Sequence, residues 1–294
     1  MEQCYNDKVV RLAIIGLGLI GGSLGLALKQ ANWRQAEVVG YVRRHEAGSL
    51  ALKLGAVDKV ESNLSETVKG ANIIIIATPV LTIRDILSQI APDLSDDSIV
   101  TDTASTKLQV MRWAEELLPP EINFVGGHPM AGKETSGVSA ATADLFHNCT
   151  YCLTPARRAK SAAVQTVKEM VKGLGATPLT INAEEHDSLV AGVSHLPLLL
   201  SVALVSATTK NPSWQQMSRL AASGYRDLTR LASGNPEVNA GICLSNPTAI
   251  VSWIDAFSEE LQRLRKLVAD ESIEIEKALA LANEARQKWL KRRC

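Results

Sequence analysis

Three glycines stand at G-x-G-x-x-G spacing near the start of the chain, at Gly16, Gly18 and Gly21. The apolar run at residues 9–15 predicts a β-strand before them, and residues 22–29 predict a helix after them. In that context the first glycine allows a tight turn, the second lets a diphosphate approach the backbone, and the third lets helix and strand pack closely. The pattern indicates dinucleotide binding at a helix N-terminus, with a glycine-rich turn of an ordinary α/β protein as the alternative. The expected contacts are Gly16, Gly18, Leu19, Ile20 and Gly21.

The second predicted strand, residues 36–42, ends without an acidic residue. NAD-binding proteins usually place a carboxylate there to bond the ribose hydroxyls, whereas this chain has Val42 followed by Arg43 and Arg44. Because guanidinium groups pair with phosphate, these three positions favour NADP as the cofactor, with NAD as the alternative. Two solvated arginines after a strand would explain the same residues.

Two further predicted strands, residues 71–77 and 98–102, end close to polar residues. Pro79 cannot extend a β-ladder, so the first of these strands stops where parallel strands border a ligand crevice. We expect cofactor contacts at Thr78 and Pro79, and another at Ser105 beyond the second strand. Capping of the following helix would also explain Ser105.

His128 follows a strand predicted at residues 123–126 and stands in a loop of small residues. A lone histidine is usually structural. This one is placed at the carboxyl end of a strand, where backbone can approach a ligand and an imidazole is not needed for packing. His128 is therefore a candidate functional residue.

The elements that must position these residues alternate between strand and helix as far as residue 182, and the rest of the pattern is helical. The predicted fold class is α/β, with a Rossmann-type doubly wound sheet over residues 1–182 and an all-α dimerisation domain over residues 183–294. Residues 195–205 are apolar nearly all round, which favours burial in a helix bundle or a subunit interface.

The charges of the chain balance, with 31 Lys and Arg residues against 31 Asp and Glu residues. No net charge therefore points to nucleic acid or to an anionic membrane. The first residues lack a signal-peptide pattern, and no apolar stretch approaches the roughly 18 residues of a bilayer span. We expect a cytoplasmic protein with a small-molecule partner, and a solvated helix end at Lys291, Arg292 and Arg293.

The five cysteines are scattered and odd in number, which argues against a secreted disulfide framework. Cys149 and Cys152 have C-x-x-C spacing, but the second pair that a zinc site would need is absent and residues 150–155 predict a strand. We expect structural thiols and no metal site. The cysteines are Cys4, Cys149, Cys152, Cys243 and Cys294.

Five motifs in one order are more specific together than any of them alone. They comprise residues 16–21, 101–107, 127–132, 194–197 and 223–230. In these motifs the chain resembles the prephenate and arogenate dehydrogenase family of tyrosine biosynthesis, most specifically in its His-Pro-Met-Ala-Gly and Gly-Tyr-Arg-Asp-x-Thr-Arg elements. The resemblance implies an oxidoreductase that transfers a hydride to NAD(P) while its substrate loses carbon dioxide and becomes aromatic.

The resemblance also implies roles for individual side chains. His128 would take the proton of the substrate hydroxyl, which suits a neutral imidazole. Ser105 would hydrogen-bond near His128, the hydroxyl and the nicotinamide, and His195 would contact the substrate from the helical domain.

Recognition of the substrate carboxylates falls to arginine in this resemblance. Arg230 matches the substrate arginine of the family, and Glu134 matches an acidic residue of many members. Arg226 is a second member of the same motif, with a salt bridge to Asp227 as the plain alternative.

The choice between prephenate and arogenate stays open. Many prephenate-type members carry tryptophan and aspartate in a segment where this chain has Asn239 and Gly241. The two substrates end in a keto acid and an amino acid, which a few polar contacts discriminate.

The resemblance further implies a homodimer through the C-terminal helices, in agreement with the apolar segment after His195. Two other classes of function are alternatives. One is another NADP-dependent enzyme with a Rossmann and a helical domain, of the β-hydroxyacid dehydrogenase or pyrroline-carboxylate reductase type. The other is a non-catalytic NADP-binding regulator, which need not keep His128, Ser105 and Arg230 together.

Overall fold

The computed structural model describes residues 10–291, and its strands lie in one sheet. The strands are β1 (Arg11–Ile15), β2 (Glu37–Tyr41), β3 (Lys59–Val60), β4 (Ile73–Ile76), β5 (Ile99–Asp102), β6 (Asn123–Pro129), β7 (Thr150–Pro155) and β8 (Thr177–Thr180). Their order is β3-β2-β1-β4-β5-β6-β7-β8. The first six strands in this order, from β3 at the edge to β6, pair in parallel, which is the doubly wound arrangement. Because the chain order reverses between β1 and β4, a ligand crevice is expected at their carboxyl ends.

Helices cover both faces of the sheet and continue beyond it. The α-helices are α1 (Leu19–Gln30), α2 (His45–Lys53), α3 (Leu64–Val68), α4 (Ile83–Ile90), α5 (Leu108–Leu117), α6 (Ser161–Gly173), α7 (Ala183–Val190), α8 (Leu196–Thr209), α9 (Trp214–Leu220), α10 (Ser223–Thr229), α11 (Pro236–Ser245), α12 (Pro247–Ala269) and α13 (Glu274–Lys291). A π-helical turn, Ala191–His195, joins α7 to α8.

Strand β1 shows why the sheet is buried on both faces. Leu12 and Ile14 belong to one hydrophobic cluster, and Ala13 and Ile15 belong to another. Side chains of a strand alternate between faces, so each cluster fills one side of the sheet. The apolar character of β4, four consecutive isoleucines, has the same cause.

The predicted fold class is confirmed: a Rossmann-type sheet is followed by helices. One local expectation is wrong, because β6 continues through Pro129 and His128 lies inside the strand and not in a loop after it. The antiparallel neighbour β7 explains the extension, since His128 pairs with Cys152 and Pro129 with Tyr151. The sequence patterns did not identify β3, α3, α4, α10 and α11.

Contacts divide the chain into two compact units, one up to Pro247 and one from Thr248 onward. The sheet and helices α1 to α11 form the first unit. The second consists of most of α12 together with α13, and it exposes large apolar side chains such as Trp253, Leu261 and Leu279. The predicted domain boundary at Asn182 lies inside the first unit, between β8 and α7, and stays a prediction.

Helices α7 and α8 and the π turn between them form one apolar helix of 27 residues, Ala183–Thr209. By length and composition it could cross a membrane, and a third of its most apolar stretch is buried. The expectation that no apolar stretch approaches the roughly 18 residues of a bilayer span is wrong here. Small polar residues interrupt the apolar run of this helix without making the helix polar. A core helix or a helix covered by another subunit has the same composition.

Candidate active site

The glycine loop connects β1 to α1 and is built for close approach. Gly16 has φ +100°, and a Cβ on it would meet the Ala77 carbonyl oxygen at 2.6 Å and the Thr78 Cγ2 at 2.8 Å. A Cβ on Gly21 would collide with the carbonyl oxygen of Gly16. Both positions therefore require glycine. The loop also lies directly against the end of β4, where Thr78 was predicted to contribute.

Gly18 is the N-cap residue of α1, and a Cβ built on it meets no atom within 4 Å. The space above the helix N-terminus is open, and the first-turn N–H groups of a 12-residue helix have no acidic side chain among them. This geometry fits the diphosphate of a dinucleotide, because the N–H groups and the helix dipole both favour an anion. Leu19 and Ile20 form the first turn.

The segment after β2 carries the predicted cofactor-selecting residues. Val42 is half-buried, whereas Arg43 and Arg44 are exposed, and Arg44 is the N-cap residue of α2. Neither guanidinium forms an ion pair within the described part of the chain. Both are thus available to a ligand that reaches the end of β2.

Thr78 and Pro79 follow β4 and are tied together by Thr82. The Thr82 hydroxyl donates to the Pro79 carbonyl oxygen at 2.7 Å and lies 2.9 Å from Oγ1 of Thr78. Pro79 ends the strand as predicted and precedes a short 3₁₀ turn, Val80–Thr82. The turn holds Thr78, whose Cγ2 lies close to Gly16 of the glycine loop.

A fully buried ion pair fixes the next two strand ends. Nζ of Lys107 pairs with the Asp102 carboxylate and donates to the Gly127 carbonyl oxygen at 2.6 Å. Asp102 also accepts from the backbone N–H groups of Ala104 and Gly127. Burial lowers the pKa of the Lys107 ammonium, and the carboxylates of Asp102 and Asp187 oppose that shift. The pair therefore joins the loop of Ser105 to the strand of His128.

Ser105 is half-buried in that loop and does not cap the helix after it. Helix α5 begins at Leu108, its N-cap residue is Lys107, and no cap bond comes from a side chain of the loop. The carboxylate of Asp187 accepts the N–H groups of Lys107 and Leu108 from another helix instead. Capping thus gives no reason for the serine at this position.

His128 lies near the carboxyl end of β6 and is 7% exposed. Its Nδ1 is 2.9 Å from Nε2 of His186, and the two rings meet edge to face with centroids 5.1 Å apart. Burial holds the pKa of His128 well below 6.5, and the nearby His186, Lys107 and His195 lower it further. The imidazole is neutral at neutral pH and can accept a proton.

His195 ends the π turn between α7 and α8 and is buried. Its Nδ1 lies 3.4 Å from Nδ2 of Asn246, while Nε2 has no hydrogen-bond partner within residues 10–291. Burial lowers the pKa of His195 to about 4, against the opposing effects of Asp187 and the Ser105 backbone. An unpaired buried nitrogen is costly, so Nε2 is suited to a ligand.

The structure brings Glu134 and Arg230 together as an ion pair, although they are 96 residues apart. Both side chains are accessible, with Arg230 60% exposed. Arg226 is 80% exposed and lies 3.7 Å from Asp227, so the salt bridge foreseen as its alternative is present. Within the described residues no hydrogen bond or ion pair links Arg226 to the other predicted site residues.

Three buried residues of the site escaped the sequence analysis: His186, Asp187 and Asn246. The adjacent pair His186 and Asp187 on the first helix after the sheet was a usable signal, because buried polar pairs need partners. Asp102 and Lys107 belong to the motif at residues 101–107, but the sequence alone predicts no role for either of them. Asn246 carried no local signal, since its role depends on how α11 docks.

The cysteine expectations concern a different part of the molecule. Residues Thr150–Pro155 form β7, which confirms the strand predicted at the C-x-x-C pair. Cys149, Cys152 and Cys243 are free thiols. Cys4 and Cys294 lie outside the described residues, as do Arg292 and Arg293 of the predicted helix end.

Two family models match the chain. Residues 24–179 match the model described as prephenate dehydrogenase, nucleotide-binding domain, and residues 182–281 match the one described as prephenate dehydrogenase, dimerization domain. Together they cover most of the sequence and meet beside β8.

Individual proteins are similar along most of the chain. A prephenate dehydrogenase of Bacillus subtilis (strain 168) is 37% identical over 92% of this chain and 73% of its own length. The crystal structure of prephenate dehydrogenase from A. aeolicus in complex with hydroxyphenyl propionate and NAD+ has a TM-score of 0.88 and 28% identity, covering 96% of this chain and 98% of that one. That of Synechocystis arogenate dehydrogenase has a TM-score of 0.80 and 31% identity, covering 95% and 100%.

Proposed function

Because this chain belongs to the prephenate dehydrogenase family, we propose that it oxidises and decarboxylates prephenate, arogenate or both. The observation that carries the proposal is His128, a buried and neutral base on β6 that contacts His186 of α7. The nicotinamide cofactor supplies the hydride acceptor when it is bound. The other classes considered, a β-hydroxyacid or pyrroline-carboxylate type of enzyme and a non-catalytic regulator, are not favoured, since models of this family match both parts of the chain.

His128 is assigned the role of general base. It accepts the proton of the substrate hydroxyl while the ring carbon bearing that hydroxyl loses a hydride. The carbon–carboxylate bond then breaks and carbon dioxide leaves. The electron pair of the broken bond stays with the ring and makes it aromatic. General-base catalysis is typically worth about 10² to 10⁴ in rate, and the lowered pKa of His128 keeps the ring in its accepting form.

Ser105 and His195 are assigned to substrate orientation. The Ser105 loop is joined to β6, the strand of His128, through the bonds of Lys107 and Asp102 to Gly127, which supports a shared role for Ser105 and His128. His195 offers the unpaired Nε2, and a substrate oxygen would satisfy it. Ser105 caps no helix, and Nε2 of His195 gains a hydrogen-bond partner when a polar substrate binds.

Arg230 is assigned to a substrate carboxylate. A guanidinium can bind a carboxylate with two parallel hydrogen bonds, and Arg230 is exposed enough to do so while Glu134 orients it. Arg226 receives no such role, because its contact is to the neighbouring Asp227 on an exposed helix.

The preferred cofactor is NADP, with NAD as the alternative. The exposed guanidiniums of Arg43 and Arg44 and the lack of an acidic residue at the end of β2 support this choice. We expect a higher kcat/KM with NADP than with NAD, and a selective loss of the NADP value in Arg43→Ala. Equal or better use of NAD that Arg43→Ala leaves unchanged would contradict the choice.

The protein is expected to form a homodimer through its C-terminal helices. The matched dimerization domain includes α8, and the exposed apolar side chains of α12 and α13 give a second subunit a surface to cover. Sedimentation velocity at micromolar concentration tests this, and a monomer there would contradict it.

The reaction itself is tested by the absorbance of reduced nicotinamide. Prephenate and arogenate are offered separately to the full chain, each with NADP and with NAD. Turnover of either substrate supports the function and settles the substrate choice. Absence of turnover in all four combinations, with a protein that is folded by circular dichroism, would overturn it.

A further inference from the structure

Two residues extend the hydrogen bonding of His128 into the helical part of the molecule. Nε2 of His186 lies 2.9 Å from Nδ1 of His128, and Nδ1 of His186 lies 2.7 Å from Oδ1 of Asp187. All three side chains are buried, with His186 1% and Asp187 3% exposed. This chain of contacts, His128 to His186 to Asp187, is called the relay below.

Asp187 determines the direction of its own hydrogen bond with His186, and the neutral form of His186 then determines the direction of the bond with His128. Its Oδ1 accepts the N–H of Lys107 at 2.7 Å, and its Oδ2 accepts the N–H of Leu108 at 2.9 Å. An ionised carboxylate only accepts, so Nδ1–H of His186 must donate to it. In a neutral His186, Nε2 is then the acceptor, and Nδ1–H of His128 donates to it. Nε2 of His128 is left with a free lone pair.

We propose that His186 and Asp187 are positioning residues that hold His128 in the Nδ1-protonated tautomer and present its Nε2 to the substrate hydroxyl. The inference rests on the proposed role of His128 as the base. The opposite tautomer carries its proton on Nε2 and cannot accept another there, so the relay decides whether the imidazole is usable. The edge-to-face contact with His186, at an interplanar angle of 72°, also fixes the ring plane.

Asp187 links this relay to the other two site elements. Its carboxylate caps α5 immediately after the Ser105 loop, and its backbone carbonyl accepts Nδ2 of Asn246 at 2.8 Å, beside His195. Substitution of Asp187 would disturb all of these at once. His186 is therefore the better residue for a test, because within residues 10–291 its side-chain hydrogen bonds lie in the relay alone.

The tautomer is measured directly by ¹⁵N NMR of the imidazole rings in the full-length protein. The chain has five histidines, and the His128→Asn spectrum identifies the signals of His128 by their loss. We expect Nδ1 of His128 to carry the proton at neutral pH. A His128 ring protonated on Nε2 would overturn the proposal, whether or not the enzyme turns over either substrate, so this outcome is separate from failure of the proposed function.

Two variants of His186 then connect the tautomer to the rate. His186→Leu removes the acceptor, and we expect a mixed tautomer and a loss of kcat of about 10- to 100-fold, the size of the effect when a metal-binding histidine loses the partner that orients it. His186→Gln keeps an acceptor for Nδ1–H of His128 and should restore much of both. His147→Gln, an exposed histidine outside the relay, is the matched control and should leave kcat unchanged.

The fold of each variant is checked by its thermal unfolding. A folded His186→Leu protein with wild-type kcat and KM would overturn the proposal. The same holds if His186→Gln loses as much kcat as His186→Leu, because a retained acceptor would then bring no benefit. If His186→Leu does not fold, the wild-type spectrum and the kcat of His186→Gln still decide between the two results.

Discussion

The two halves of the site hold their charges in opposite ways. Around His128 the polar groups are buried and tied to backbone, as in the Lys107 and Asp102 pair, which is 0% exposed. The pair of Arg230 and Glu134, which is proposed to form the rim of the site, is accessible, with Arg230 60% exposed. The difference indicates that the buried groups and the accessible pair serve different steps. Under the proposed function, proton transfer depends on groups that are fixed before the substrate arrives, whereas carboxylate recognition uses a side chain that can still move.

Loss of the fixed base should have the largest effect. In His128→Asn the side chain keeps polarity and approximate size but cannot take up the substrate proton. We expect kcat to fall by about 10² to 10⁴ while the Kd of the cofactor is unchanged. Steady-state kinetics and cofactor titration by fluorescence measure the two quantities. Retained turnover with unchanged cofactor affinity would remove His128 from the chemistry.

The buried ion pair should matter for stability in a way that an exposed pair does not. Lys107→Met leaves the Asp102 carboxylate buried without its partner, and we expect a loss of about 3–5 kcal/mol in the free energy of unfolding. Lys160→Met breaks the exposed pair with Asp97 and should cost less than about 1 kcal/mol. Urea denaturation compares the two. Equal losses would contradict the contrast between buried and exposed charge pairs.

At the rim, the expected effect is on binding. Arg230→Ala removes a charge-assisted hydrogen-bonding group worth about 1.5–3 kcal/mol, which corresponds to a rise of about 10- to 100-fold in the KM of the substrate. The KM of the cofactor should not change. Arg226→Ala is the matched control from the same helical segment, and an equal effect there would show that the assignment of Arg230 is wrong.

The smallest effect concerns pH. A general base works in its neutral form, and burial lowers the pKa of His128 below 6.5. Its active form therefore persists to lower pH, and the acid limb of kcat/KM should lie below 6.5. A limb at or above 6.5 in the wild-type enzyme would contradict the burial of a neutral base.

The sequence predicted most of the features that depend on a few neighbouring residues, such as turns and strand ends. The turn after β1 requires glycine at Gly16 and Gly21, and Pro79 ends the strand β4. Each of these roles depends on residues close by in the chain, so it could be deduced from spacing. The extension of β6 through His128 could not, since it needs the antiparallel strand β7 as a neighbour. The periodicity of a segment predicts whether it forms a strand or a helix, but it does not predict which other strand will pair with it.

The relay shows the same limit at the level of side chains. His128 and His186 are separated by 58 residues, and no spacing rule connects a histidine on a strand with one on a later helix. Arg230 and Glu134 were each proposed through the family resemblance, yet their pairing became apparent only in three dimensions. Residue types identified the candidates, and packing determined which of them meet.

The π turn at Ala191–His195 gives the longest helix of the first unit a sensitivity to chain length. Such a turn holds one residue more than an α-helical turn, and each residue of a helix rotates the chain by about 100°. Deletion of one residue here would restore a regular helix and turn every side chain of α8 by that angle relative to α7. Ser201, which now accepts the backbone N–H of Ala232, would face elsewhere. The presence of one residue in this turn thus determines the angle about the helix axis between the side chains of α7, which include His186 and Asp187, and the apolar side chains of α8.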